Sequence, residues 1–124
     1  MQTIGNERKT ILVVEDDISI GEIIALTISE ETPFRVCLVS DAHEAFQQLK
    51  EIVPVLFLLD YQLPGMSGLQ FYDQLCTMPE FAQVPSIMIS ANLPWYELKK
   101  RKIAGLQKPF EIDELLAIVE GTIQ

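Results

Sequence analysis

An α/β architecture, a doubly wound five-stranded parallel sheet with five helices over its two faces, is predicted by three observations in these 124 residues. Short aliphatic runs alternate five times with helix-period segments, the order expected of repeated strand–helix units joined by right-handed crossovers. The runs show no in–out polar alternation, which marks strands buried on both faces. Nearly every run ends in a polar or charged residue at a turn, where open parallel sheets collect their ligands.

Thr10-Ile11-Leu12-Val13-Val14 reads as the first strand and ends in Glu15-Asp16-Asp17. Ile18 to Glu31 follows as an amphipathic helix, with Ile20, Ile23, Ile24, Thr27 and Ile28 as its apolar stripe. Asp17 can cap it, and so can Ser19, whose spacing to Glu22 fits a capping box. Gly21 weakens its first turn, and Pro33 closes the segment. Phe34 to Val39 is the second strand. Asp41 and Glu44 stand at capping-box spacing before a second helix, with Ala42, Ala45, Phe46 and Leu49 on one face. His43 falls on the polar side of that helix and is assigned no role.

The third strand is Val55-Leu56-Phe57-Leu58-Leu59, entered after Pro54 and ended by a single carboxylate, Asp60. A loop with Pro64, Gly65 and Gly68 follows. Ser67 can cap a third helix in which Leu69, Tyr72, Leu75 and Cys76 share a face before Pro79. Val84 to Ile89 makes the fourth strand, ending at Ser90-Ala91. Pro94 to Lys102 is a short fourth helix, with Pro94 suited to its first position. Gly105-Leu106-Gln107 is a brief fifth strand leaving through Lys108-Pro109-Phe110. Asp113 to Glu120 closes the chain as a helix, with Ile112, Leu115, Leu116 and Val119 inward.

The length fits one domain, 1–124, with a core from about 10 to 123 and a polar extension over 1–9. Hydrophobic residues at 48% and charged residues at 22% are an ordinary globular balance. A net charge of −9 argues against a nucleic-acid surface, which needs a basic patch to neutralise phosphates. Cys37 and Cys76 lack metal-ligand spacing and read as small buried residues of a reducing compartment. Nothing approaches the ~18 apolar residues of a membrane span, and no signal peptide opens the chain. The expectation is a cytoplasmic protein.

Glu15 and Asp16 after strand one, Asp60 after strand three, Ser90 after strand four and Lys108 after strand five all fall on one rim. If the strand order is 2-1-3-4-5, the switch point between strands one and three brings Asp16 beside Asp60. Two carboxylates about 4 Å apart repel by on the order of 4 kcal/mol at an effective dielectric of 20. Hard oxygen ligands of this kind suit Mg²⁺, which keeps several waters and needs only one or two protein carboxylates. With a lysine, a hydroxyl and a carboxylate nucleophile, the set has the parts for phosphoryl transfer.

These motifs resemble those of the receiver domains of two-component response regulators, which have the flavodoxin-like sheet. ILVVEDD is similar to that family's acidic motif, LLDYQLPGMSG to its phosphoacceptor motif, ISA to its hydroxyl motif and QKPF to its lysine motif. The resemblance runs from Ile11 to about Ile123. It implies that Asp60 accepts a phosphoryl group from a sensor histidine kinase or histidine phosphotransfer protein. Glu15, Asp16, Asp60 and the backbone carbonyl of Gln62 would arrange Mg²⁺, directly or through water. Ser90 and Lys108 would hold the phosphoryl oxygens, and the Lys108–Pro109 bond would be cis. Asp17 is read as a helix cap in preference to a metal ligand, on general cap preference. Gln62 and Asn92 would flank the approach of hydrolytic water.

Two departures stand out. Gly105 occupies the position, three before the lysine, where the family usually carries an aromatic residue, and the segment from Ser90 to Lys108 is short. Trp95 or Tyr96 could substitute, although packing is the simpler role for either. Relay through this region, and dimerisation through the fourth helix and fifth strand, are therefore open, with readout through another face as the alternative. Lys99-Lys100-Arg101-Lys102 is either a solvated helix face or a docking surface for an acidic partner.

Three functions compete. The first is a phosphorylatable switch that signals to a downstream effector as a monomer or phosphorylation-dependent dimer, without being an enzyme in the turnover sense. The second is a Mg²⁺-dependent aspartyl-phosphate hydrolase, which would want a second acid where Gln62 stands. The third is an interaction module that keeps the fold alone. No output domain follows the last helix in this sequence, which fits either a stand-alone receiver or part of a longer regulator.

Overall fold

Every strand–helix alternation in the sequence is present in the computed structural model, which describes residues 9–123. In chain order the elements are β1 (Thr10–Val14), α1 (Ile18–Glu31), β2 (Arg35–Val39), α2 (Ala42–Gln48) and β3 (Leu56–Asp60). They continue with α3 (Gly68–Cys76), β4 (Ser86–Ser90), α4 (Trp95–Arg101), β5 (Ala104–Gln107) and α5 (Ile112–Ile123). All strands are parallel, in the order β2-β1-β3-β4-β5. Most of the polar extension expected over 1–9 lies outside the described residues.

The unbroken apolar runs are explained by a sheet sandwiched between two cores. Leu12, Val14, Phe57, Leu59 and Met88 face α2, α3 and α4. Ile11, Val13, Leu56, Leu58, Ile87 and Ile89 face α1 and α5, meeting Ile24, Ile28, Leu115 and Val119. Successive residues of a strand point to opposite faces, so a strand covered on both sides must be apolar at every position. Both β3 and β4 are buried throughout. Register then fixes the rim: Val14 pairs with Val39 and Leu59, Asp60 with Ile89, and Ser90 with Gln107.

Capping follows the side-chain chemistry with corrections. Asp17, not Ser19, caps α1, its Oδ1 accepting from the N–H of Ile20 at 3.1 Å. Asp41 caps α2, but Glu44 reaches the N–H of Ser40 at 2.9 Å, one residue short of a closed box. Ser67 and Gln70 form a complete capping box on α3. Pro94 is the cap residue of α4 and not its first helical position.

Several core assignments are overturned. Ile23 and Ile112 point outward, 54% and 53% exposed. The stripe of α1 is instead Gly21, Ile24, Thr27 and Ile28, because Gly21 lets the helix lie close to β2. A Cβ there would meet Leu38 Cδ1 at 3.0 Å. On α3, Phe71 is buried while Cys76 is exposed. Phe71 is drawn inward by Phe46 and Phe57, with ring centroids at 4.8 and 6.2 Å. Cys37 is only half-buried on the edge strand. Boundaries also move: β2 starts at Arg35, and β4 starts at Ser86 because Val84 N–H turns back to the Phe81 carbonyl. The last helix extends to Ile112–Ile123.

Candidate functional site

The carboxyl ends of β1, β3, β4 and β5 converge on one cleft of about 300 Å³. Glu15 directly follows β1, and its N–H bonds the Val39 carbonyl at 3.0 Å, carrying the β1–β2 ladder one step beyond the strand. That backbone bond holds Glu15 buried while Asp16 stays exposed at the mouth. Glu15 Oε2 accepts from the N–H of Asp17 at 3.1 Å. Asp17 thus serves two neighbours, by its side chain on α1 and by its backbone on Glu15.

Asp60 is the last residue of β3, and it is buried. Its Oδ1 accepts from the N–H of Gln62 at 3.1 Å. Beyond it the loop doubles back so that Gly68 N–H bonds the Tyr61 carbonyl at 2.8 Å. Gly65 takes a φ of 76°, the left-handed turn that favours glycine. Ser90 closes β4, with its Oγ accepting from Asn92 N–H at 3.1 Å. Lys108 is held by its own N–H on the Ser90 carbonyl at 2.9 Å. The Lys108–Pro109 bond is cis. The Gln107 amide donates to the Ala91 carbonyl, tying the end of β5 to the loop after Ser90.

All of Glu15, Asp16, Asp60, Gln62, Ser90 and Lys108 line this one cleft, so the residues chosen from the sequence are brought together. Asn92 reaches it only through its backbone bond to Ser90. The Lys108 ammonium stands 3.1 Å from Glu15 Oε1 and 3.6 Å from Asp60 Oδ2. Burial, and then the Glu15 carboxylate beside it, push the Asp60 carboxyl up to about 6. The Gln62 N–H and the Lys108 charge work against that rise. One ammonium therefore does not offset the crowding of acids.

A cation fits this set. Among the described residues, Glu15, Asp16 and Asp60 each offer a carboxylate oxygen, all within 4.8 Å of one another. Glu15 Oε1 is buried and accepts no aligned hydrogen bond, the lysine nearby being an ion-pair contact only. An all-oxygen donor set open to water on one side suits a hard divalent ion.

A family model described as the response regulator receiver domain matches residues 11–120. The chain is a response-regulator receiver domain. Related proteins include the DNA-binding response regulator MtrA of Mycobacterium tuberculosis H37Rv, 31% identical over 121 residues. The phosphate regulon transcriptional regulatory protein PhoB of Escherichia coli K12 is 32% identical over 124 residues. Each alignment covers 94% of the receiver domain but only 51% of MtrA and 52% of PhoB. The receiver domain thus spans about half the length of these relatives.

Similar solved structures include the chemotaxis protein CheY4 of Vibrio cholerae, with a TM-score of 0.85 and 23% identity. That match covers 94% of the receiver domain and 99% of CheY4, and it speaks for the fold. The receiver domain of sensor histidine kinase PA1611 from Pseudomonas aeruginosa PAO1 gives 0.82 and 25%, covering 94% and 98%. That structure has a magnesium ion coordinated in its active-site cleft.

Sequence reasoning passed over three contributors. Gln107 looks like a surface residue until its amide is seen on Ala91. Gly68 sits so close beneath Asp60 that a Cβ would meet the Asp60 carbonyl oxygen at 2.5 Å. Its place right after a capping serine was the available signal. Ile20 supplies an apolar wall to the cleft. Among the described residues no helix is long and apolar enough to cross a membrane.

Proposed function

We propose that the receiver domain accepts a phosphoryl group on Asp60 in a Mg²⁺-dependent reaction, from a sensor histidine kinase or a histidine phosphotransfer protein. The observation that carries this reading is the buried Asp60 carboxylate, faced by a lysine ammonium and by two further acids around one cleft. Asp60 near 6 is largely ionised at pH 7 and available as a nucleophile. An Asp60 carboxylate oxygen bonds to phosphorus while the phosphorus–nitrogen bond of the donor phosphohistidine breaks. The electron pair returns to the imidazole nitrogen.

The domain's own residues position the group. Lys108, already aimed at Asp60 Oδ2, provides an ammonium for the phosphoryl oxygens. Ser90 offers its hydroxyl proton, since its Oγ is used as an acceptor by Asn92 N–H. Glu15, Asp16, Asp60 and the carbonyl of Gln62 are the groups that would hold Mg²⁺, whose bound charge would offset that of the carboxylates and the incoming phosphoryl group. Ile20 limits water on one side.

The domain acts as a stoichiometric acceptor and not as a turnover enzyme. Gln62, the second residue after the nucleophile, supplies no carboxyl for acid–base hydrolysis. Phosphorylation shifts the population between two conformations, and an effector protein reads the shift. We assign the domain to the cytoplasm on the same reading, as a monomer or phosphorylation-dependent dimer.

Incubation with acetyl phosphate, with and without Mg²⁺, followed by intact-mass measurement tests the reading. One phosphoryl adduct is expected, dependent on Mg²⁺ and abolished in Asp60→Asn. An adduct that persists in the folded variant reassigns the acceptor.

A further inference from the structure

We infer that Gln107 is a positioning residue for phosphoryl transfer: its side-chain amide, acting through the Ala91–Asn92 peptide, fixes the direction in which the Ser90 hydroxyl points. This rests on the reading of Asp60 as the phosphoacceptor and deepens it.

Strand register brings the two residues together. Ser90 ends β4, Gln107 ends β5, and the pair stand opposite each other in the sheet. Successive residues of a strand face opposite sides. Leu106 points into the core under α1 and α5, so Gln107 shares the α4 side with Gly105. Leu93, Trp95 and Leu98 close over Gly105 there, bringing α4 and the loop before it down onto β5. Gln107 is the only polar side chain of β5, and it meets that loop two residues nearer the cleft.

One peptide unit carries the effect. Gln107 Nε2 donates to the Ala91 carbonyl. At the other end of the same peptide, the N–H of Asn92 donates to Ser90 Oγ at 3.1 Å. A trans peptide is planar with its C=O and N–H on opposite sides, so turning one end turns the other. Ala91 and Asn92 are both exposed, and among the described residues no other hydrogen bond holds either group. Removing the Gln107 amide therefore frees the peptide, and Ser90 with it.

That freedom bears on the chemistry because serine has three staggered χ1 positions to choose among. Ser90 is buried on the cleft wall beside Asp60 and Lys108. With Oγ taken up as an acceptor by Asn92, its O–H is left to donate into the cleft. The Gln107 amide also stands 3.4 Å from the Lys108 carbonyl, so one group borders the backbone of both residues that would hold phosphoryl oxygens. A tie that merely fastened β5 to the loop would stabilise the fold with no dependence on Ser90. The two roles therefore give different results once the Ser90 hydroxyl is removed.

The test is the rate of adduct formation from acetyl phosphate and Mg²⁺, read by intact mass, in wild type, Gln107→Met, Ser90→Ala and the double variant. Gln107→Met keeps the side-chain length and removes the donor. It should slow the maximal rate about three- to tenfold, the worth of one hydrogen bond. The half-saturating acetyl phosphate concentration should change little, because Gln107 does not touch the phosphodonor. In Ser90→Ala, itself slower than wild type, Gln107→Met should have no further effect. Gln107→Glu, which turns an oxygen toward the Ala91 carbonyl, provides a second variant with the same expected pattern should the first fail to fold. Equal slowing in both backgrounds, no slowing in either, or a Ser90→Ala chain as fast as wild type overturns the proposal. Ser90 Hα–Hβ couplings, measured by NMR with no phosphodonor present, keep its failure distinct from failure of the Asp60 reading. One χ1 rotamer in wild type and averaging in Gln107→Met are expected. Unchanged couplings overturn the positioning role whether or not the wild type takes up a phosphoryl group.

Discussion

The ring of Trp95 lies against the backbone of Gly105, so close that a Cβ on the glycine would stand 3.0 Å from the indole Cζ3. Leu98 Cδ1 and Leu93 Cδ1 crowd the same point at 2.9 and 3.0 Å. The glycine at the usual aromatic position is thus matched by side chains from the β4–α4 segment that fill its place. Gly105→Ala should cost about 1–2 kcal/mol by overpacking. Trp95→Ala in the same chain should recover part of the loss, because one of the three clashes disappears. A double-mutant cycle from urea unfolding measures the coupling, and a coupling of zero would mean the indole moves away freely.

The crowded Asp60 carboxyl makes stability depend on pH with a definite sign. Its folded value near 6 exceeds the ordinary 3.8, so the folded state binds the proton more tightly. The penalty is fully present above about 6 and fades as pH falls from there toward 3.8. Without divalent ions, Asp60→Asn should therefore be more stable than wild type at pH 7.5, by on the order of 2 kcal/mol. The gap should shrink at pH 5. Saturating Mg²⁺ should also narrow it, by stabilising the wild type. Urea midpoints of both proteins at the two pH values, with EDTA or Mg²⁺, decide the matter.

Much of this site was legible because chain order and chemistry coincide. Each apolar run is a strand, and the polar residue after it must emerge at the strand's carboxyl end. The strand order was not legible from the residues themselves and came from the family likeness; the observed pairing of β1 with β3 bears it out. Helix faces were less readable. Ile23 and Leu69 have equal apolar claims, yet only Leu69 is buried, because α1 rolls until Gly21 meets Leu38. Phe71 falls between the positions of the expected α3 stripe, and its burial is decided by rings on α2 and β3. The Gln107–Ala91 bond depends on the end of β5 meeting the loop after β4, which no local pattern encodes.

Gly68 and Gly65 should respond unequally to alanine although they share one loop. A Cβ on Gly68 would stand 2.5 Å from the Asp60 carbonyl oxygen and 3.1 Å from Tyr61 Cα. Both are backbone atoms at the end of β3 and cannot yield without moving the acceptor. Gly68→Ala should lose about 3 kcal/mol and slow adduct formation from acetyl phosphate. Gly65 has open space around it and only a φ of 76° to oppose a side chain. Gly65→Ala should cost about 1 kcal/mol and leave the adduct rate nearly unchanged. Paired melting curves and mass-resolved time courses would expose a loop that tolerates both alike.

Arg101 joins α4 to α3 through a planar fork, and the geometry predicts that lysine will not replace it. Nε and Nη2 each meet one oxygen of Asp73 at 2.9 Å, while Nη1 meets Glu97 Oε1 at 2.7 Å. The Arg101 hydrogen bond holds Asp73 below the usual carboxylate range, and that stabilisation is lost as pH falls through the depressed value. Lysine carries the charge but cannot bridge both Asp73 oxygens in one plane. The Asp73 carboxylate is half exposed, so the pair contributes at most about 1 kcal/mol, reduced by salt. Arg101→Lys and Arg101→Ala should therefore destabilise to a similar, small extent at neutral pH. Hydrogen exchange gives the sharper readout: the α4 amides should exchange faster in both variants while those of β3 and β4 do not change. Equal protection of α4 in wild type and Arg101→Lys would show that charge alone holds the helix in place.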